Sequence, residues 1–166
     1  EPITTSPPHR NSTIALREIT EGNWRATANL RVSHAQEGNL AQNPMYMLEA
    51  HYSEDARMRA VYADETLIGF LMMVIWPPTD GYYIWRFMID QQYQKLGFGR
   101  TVVGMAIQHV KDSYPQAKQL GVMSTPKEGK GKVEAQHSPY EFYVKLGFRQ
   151  TVEPDEDGEV MMMIDS

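Results

Sequence analysis

The chain has 166 residues, 42% of them hydrophobic and 22% charged, with a formal net charge of −5 and no cysteine. That length favours one domain with one core, and the charge disfavours a nucleic-acid binder, which would carry a basic face. The missing cysteines exclude disulfides, thiolate metal sites and a cysteine nucleophile, and no apolar run approaches the about 20 residues of a membrane span.

The opening EPITTSPPHRNS (1–12) lacks the charged-then-apolar pattern of a signal peptide and is expected to be a flexible tail. One domain, 13–166, follows. TIALREIT (13–20) predicts a strand, with Thr20 as the cap of a helix through EGNWRATANLRV (21–32). NPMYMLEAHY (43–52) predicts a second helix, capped by Asn43 and with Pro44 in its first turn. RMRAVYADETLIGFLMMVIW (57–76) predicts two strands joined by a hairpin at ADET (63–66). After a turn at PPTDG (77–81), YYIWRFMI (82–89) is apolar on both faces, as a central strand would be.

Val102, Val103, Ala106, Ile107 and Val110 recur at helical spacing, with Arg100, Gln108 and Lys111 outside the stripe. QLGVMST (119–125) predicts another strand, and PKEGKGKVEAQH (126–137) a polar loop. Pro139 starts a short helix, PYEFYVKL, that Gly147 stops. FRQTV (148–152) and GEVMMMI (158–164) close the fold as a strand pair, in which the consecutive methionines are packing residues.

QYQKLGFGR (92–100) joins the central strand to the next helix, the geometry in which backbone amides and a helix N-terminus hold an anion. A dinucleotide fingerprint would need a third glycine where Val102 stands. A P-loop would need Gly-Lys-Ser/Thr, whereas Gly99 precedes Arg-Thr. Two glycines alone favour a plain strand-to-helix turn.

Two motifs in order change that balance. Gln94 to Gly99, Q-x-x-G-x-G after RFMID, resembles the acyl-CoA pyrophosphate loop of the GNAT superfamily of N-acetyltransferases. FYVKLGF (142–148) resembles that superfamily's LYEKLGF segment. Asn23-Trp24, YADETLIGF (62–70) and RFMIDQQYQKLGFG (86–99) are similar to bacterial spermine/spermidine N-acetyltransferases in particular.

The resemblance implies an α/β (α+β) fold: a mixed, mostly antiparallel central sheet flanked by helices. It implies acetyl-CoA as co-substrate, with no metal, and direct transfer of acetyl to a primary amine. The pantetheine arm would pair with Phe87, Met88 and Ile89, and the pyrophosphate would sit on the amides of Gln94, Lys95, Leu96, Gly97, Phe98, Gly99 and Arg100. A strand amide, that of Met88, would polarise the thioester carbonyl. Tyr143 matches the family's tyrosine that protonates the leaving thiolate. Read without the motif, it is a helix tyrosine with its ring in the core.

At the strand position where relatives often carry a carboxylate stands Trp85, which takes no proton. Glu49 is the preferred substitute base and would also hold a cationic amine; His51, Glu134 and His137 are the others. Relatives often have Asn where Gln136 stands. Lys127, Lys130 and Lys132 read as a solvated loop that would otherwise meet the CoA 3′-phosphate. Arg86 either pairs with an acid in the core or touches substrate. The five histidines have no metal-ligand spacing.

The implied acceptor is a small-molecule amine, a polyamine such as spermidine or spermine, which suits the negative charge. Alternatives are another small amine or amino acid, a protein N-terminus, or a CoA-binding sensor without turnover. A homodimer and a cytoplasmic setting are expected, with no nucleic-acid or membrane partner.

Overall fold

Period-two alternation and helical stripes sort this chain's apolar residues onto the two faces of a single sheet. The computed structural model describes residues 7–31, 43–79, 81–124, 129–130, 133–134, 139–151 and 160–165. In chain order the elements are β1 (Ile14–Arg17), α1 (Trp24–Ala28), α2 (Asn43–His51), β2 (Ala56–Ala63), β3 (Thr66–Trp76) and β4 (Gly81–Ile89). Then come α3 (Phe98–Ser113), β5 (Gln119–Ser124), β6 (Gly129–Lys130), β7 (Val133–Glu134), α4 (Tyr140–Lys145), β8 (Arg149–Gln150) and β9 (Val160–Asp165).

Seven strands form one sheet in the order β1-β2-β3-β4-β5-β9-β8. Among the described residues only the β4–β5 pairing is parallel. This is the mixed, mostly antiparallel α/β architecture expected from the sequence, with the apolar strand β4 at its centre. β6 and β7 pair with each other apart from it, inside a stretch that reads from sequence as one polar loop.

Alternation along β3 explains the two cores. Leu71, Met73 and Ile75 join the α3 stripe of Val102, Val103, Ala106 and Val110, with Tyr143 and Phe148. Phe70 and Met72 turn the other way and pack with Met88 and with Ala50 of α2. Each fully buried Leu, Ile or Phe contributes about 1.5–3 kcal/mol over leaving it in water, so these faces fix where β4 lies.

Two local expectations resolve differently. The first helix begins at Trp24: Thr20 does not cap it but opens a turn, its amide donating to Asn23 Oδ1 at 2.7 Å and its carbonyl accepting from Trp24 at 3.0 Å. Asn43 does not spend its side chain on the α2 terminus, because that side chain lies buried beneath the helix. Residues 7–12, read as tail, include a turn in which Ser12 N–H bonds the His9 carbonyl at 2.9 Å, and Thr13 N–H bonds Asp64 Oδ1 at 3.0 Å.

Candidate active site

The central strand loses its neighbour halfway along. β4 pairs with β5 only at Tyr83↔Gly121 and Ile84↔Val122, while β5 stays bound to β9 from Gln119 to Ser124. Beyond Ile84 the two parallel strands separate. Gly121 permits the one close approach, since a Cβ there would lie 2.5 Å from the Tyr83 ring.

The separation coincides with a bulge. Met72 pairs with Arg86 and Met73 with Ile84, so Trp85 is the extra residue on β4. Past the bulge, Asp90 N–H donates to the Ile68 carbonyl at 2.7 Å. Alternation then turns the amides of Arg86 and Met88 toward β3, and those of Phe87 and Ile89 toward the vacated edge. The Ile89 carbonyl on that edge accepts from the Gln94 side chain at 2.9 Å.

The edge runs into the glycine loop. Asp90 is buried and braces it: Oδ1 accepts from Gln92 N–H and Oδ2 from Arg31 N–H, both at 3.0 Å. Lys95 (φ 67°) and Gly97 (φ 84°) both adopt left-handed backbone, the alternation that gathers successive N–H groups into a nest. α3 starts at Phe98, whose side chain is anchored in the core. Its first bond back, from Thr101 N–H to the Gly97 carbonyl at 3.4 Å, leaves the preceding amides at the positive end of a 16-residue helix.

Lys95 and Arg100 are exposed beside this nest. Arg10 joins them, its Nη2 donating to the Lys95 carbonyl at 3.3 Å. The sequence reading missed Arg10 because nothing in a Pro/Ser/Thr-rich segment signals a partner 85 residues away.

Tyr143 projects from α4 with its ring between Phe142 and Phe148, at centroid distances of 5.2 and 5.6 Å. It is 5% exposed. Burial pushes its phenol well above tyrosine's ordinary pKa, and the positive charge of Arg86 pulls it partly back. At neutral pH it is therefore a proton donor.

Arg86, 6% exposed, lies against α2. Its Nε and Nη2 both donate to Asn43 Oδ1 at 3.3 Å, and its guanidinium stands 5.2 Å from the centroid of the Tyr46 ring. Burial lowers its pKa, and the phenols of Tyr46 and Tyr143 oppose that. Arg86 and Tyr143 thus act on each other from opposite faces of the sheet. Among the described residues no sealed side-chain nitrogen or oxygen lacks a partner, so the Tyr143 hydroxyl opens onto accessible space. The core-acid alternative for Arg86 is not realised among the described residues, where its bonded partner is an amide. Asn43→Ala is expected to cost about 2 kcal/mol, the scale of hydrogen bonds to a charged group, read as a lower urea midpoint at unchanged slope.

Glu49 and His51 stand exposed on α2, and neither appears among the partners of Arg86 or Tyr143. His137, Gln136, Lys127 and Lys132 lie outside the described residues, and only the backbone of Lys130 and Glu134 is described. Among the described residues no cluster of three or more His, Asp or Glu could hold a metal. None of their helices is long and apolar enough to cross a membrane.

Residues 16–148 match the acetyltransferase (GNAT) family. The spermine/spermidine N(1)-acetyltransferase of Bacillus subtilis (strain 168) is 25% identical over 156 residues, covering 90% of this chain and 97% of that protein. A mutant form of spermidine N-acetyltransferase SpeG from Vibrio cholerae superposes with a TM-score of 0.69 at 16% identity, over 92% of this chain and 93% of that one. The PaiA N-acetyltransferase of Thermoplasma acidophilum, solved with coenzyme A, gives 0.64 at 17% identity, over 93% and 99%. These structural likenesses establish a shared fold.

Proposed function

This chain belongs to the acetyltransferase (GNAT) family, and on that premise we propose that it transfers acetyl from acetyl-CoA directly to a primary amine of a polyamine such as spermidine or spermine. The observation that carries the reading is the vacated edge of β4, joined to the Lys95–Gly99 nest by the short turn from Asp90 to Gln94. An extended, amide-bearing arm suits such an edge as an added strand would, and a pyrophosphate suits the nest and helix terminus. The open space fits the cofactor: a Cβ placed on Gly97 would meet no atom within 4 Å.

Bound there, acetyl-CoA supplies an activated acetyl thioester. Phe87 and Ile89, whose amides face the edge, hold its arm, while Met88 between them faces β3. The backbone from Gln94 to Arg100 holds its phosphates, with charge added by Lys95 and Arg100. The Phe87 amide, which faces the edge, receives the charge that develops on the acetyl oxygen, in preference to the Met88 amide, which faces β3. Tyr143 donates its phenolic proton to the departing sulfur and recovers one from solvent. A thiol titrates at about 8.5, so that help is useful but not indispensable.

The acceptor amine must shed a proton, because an alkyl amine titrates at about 10.4. We assign that proton to Glu49 through water. The homodimer and the cytoplasmic setting are further parts of this proposal and rest on the family resemblance.

Gly97→Val is expected to raise the KM for acetyl-CoA about tenfold with little change in kcat. Left-handed backbone costs a side-chain-bearing residue about 1–2 kcal/mol, and the loss should vanish with acetyl-pantetheine, which has no pyrophosphate. The function itself is tested by thiol release from acetyl-CoA with spermidine, spermine, putrescine, lysine, an aminoglycoside and a peptide amine. A chain without cysteine adds no thiol background. Release with polyamines and little else supports the reading; release with lysine alone favours the amino-acid alternative. Acetyl-CoA binding with no release favours the sensor.

A further inference from the structure

The central strand of a covered sheet is the last place to leave a large aromatic ring in water. On β4, Ile84 is 0% exposed, Arg86 6% and Met88 4%, yet Trp85 between them is 43% exposed. It packs in neither hydrophobic core. The register jump between Ile84 and Arg86 makes it the bulged residue, and a bulge re-aims a side chain out of the ladder. It also stands at the point where β5 departs.

We propose that the Trp85 indole is a platform for a second, charged nitrogen of the acceptor, a cation–π contact that selects polyamines over monoamines; this rests on the amine-acetylating reading above. The other cation–π pairs of the described residues use different rings: Arg17 over Tyr62, Arg25 over Trp24 and Arg86 over Tyr46. The Trp85 face is thus not filled by them. Arg86, its neighbour, is turned away and held by Asn43 and Tyr46.

Spacing gives the contact a purpose. Two strand residues rise about 7 Å along the backbone, which sets the scale of the separation between the Trp85 and Phe87 positions. Three or four methylenes separate neighbouring nitrogens in a polyamine, a comparable reach. One nitrogen rests charged on the indole while the next is presented to the acetyl carbon. An aromatic face holds a cation without accepting its proton, which suits a position where a carboxylate is absent.

The test replaces Trp24 and Trp76 by Phe, then grows the protein with tryptophan carrying one, two or three fluorines. Fluorine drains the ring face at nearly constant shape. KM for spermidine is expected to climb with each fluorine while KM for the monoamine hexylamine stays level, and Trp85→Leu should raise the spermidine value about tenfold, within the cation–π range. A flat spermidine series, or both amines moving together, overturns the proposal. If no amine is acetylated, the enzyme reading fails on its own. The same series is then read as spermidine affinity by calorimetry, where stepwise weakening upholds the Trp85 contact and level or absent binding removes it.

Discussion

Tyr143→Phe is expected to lower kcat about 10²-fold or more while the KM for acetyl-CoA stays within a few-fold. A hundredfold loss corresponds to about 2.7 kcal/mol of transition-state stabilisation, more than a single hydroxyl supplies by packing. The ring, which does the packing against Phe142 and Phe148, is unchanged in phenylalanine. Melting temperature should therefore hold, and only turnover should fall. Because burial keeps the phenol protonated well above neutral pH, Tyr143 contributes no acid limb to the pH profile, and its own deprotonation lies on the alkaline side. Steady-state kinetics on the variant are sufficient. An unchanged kcat would remove Tyr143 from the mechanism.

Gly69→Ala is expected to destabilise the fold by about 3 kcal/mol, the upper part of the range for forced overpacking. A Cβ at Gly69 would sit 2.5 Å from the Met88 carbonyl oxygen and 2.9 Å from Ile89 Cδ1. The carbonyl is backbone of β4 and has no rotamer to escape through. Relief requires β3 and β4 to part where Gly69 pairs with Ile89, just before the glycine loop. A melting temperature lower by about 10 °C follows for a domain of this size, measured by calorimetry, together with a raised KM for acetyl-CoA. A variant that melts with the wild type would show the strands to be more compliant than this close contact allows.

The parts of the fold governed by local pattern were legible in the sequence. The α3 stripe, the ADET hairpin and the doubly apolar β4 depend on residues near one another, and the structure has them where the periodicity put them. The GNAT resemblance supplied the mixed, mostly antiparallel sheet, which no local pattern carries; the strand order came from the structure. What escaped depends on pairing across the chain. The bulge at Trp85 is a difference in register between β3 and β4, invisible in either strand alone. Asn43 looked like a cap because its type and its place before Pro44 suit one; a buried guanidinium 43 residues away claims it instead.

The site shows the same division. The turn from Gln94 to Arg100 was readable because glycine spacing and backbone conformation are linked; its part as a phosphate site came from the GNAT resemblance and stands as a proposal. Which strand amide faces the open edge was not, since Phe87 and Met88 differ only in the direction the ladder turns them. Glu49 was chosen for its chemistry; the structure describes it as exposed on α2, so its part in proton transfer stands as a proposal.

The central claim is that one acetyl group passes from acetyl-CoA to an amine nitrogen of a polyamine. The most direct measurement is the mass spectrum of spermidine after incubation with the protein and limiting acetyl-CoA, beside a titration of the free thiol. The account predicts N-acetylspermidine in one-to-one ratio with released CoA thiol, and no acetylated protein. Unmodified spermidine in the presence of bound, intact acetyl-CoA would contradict it.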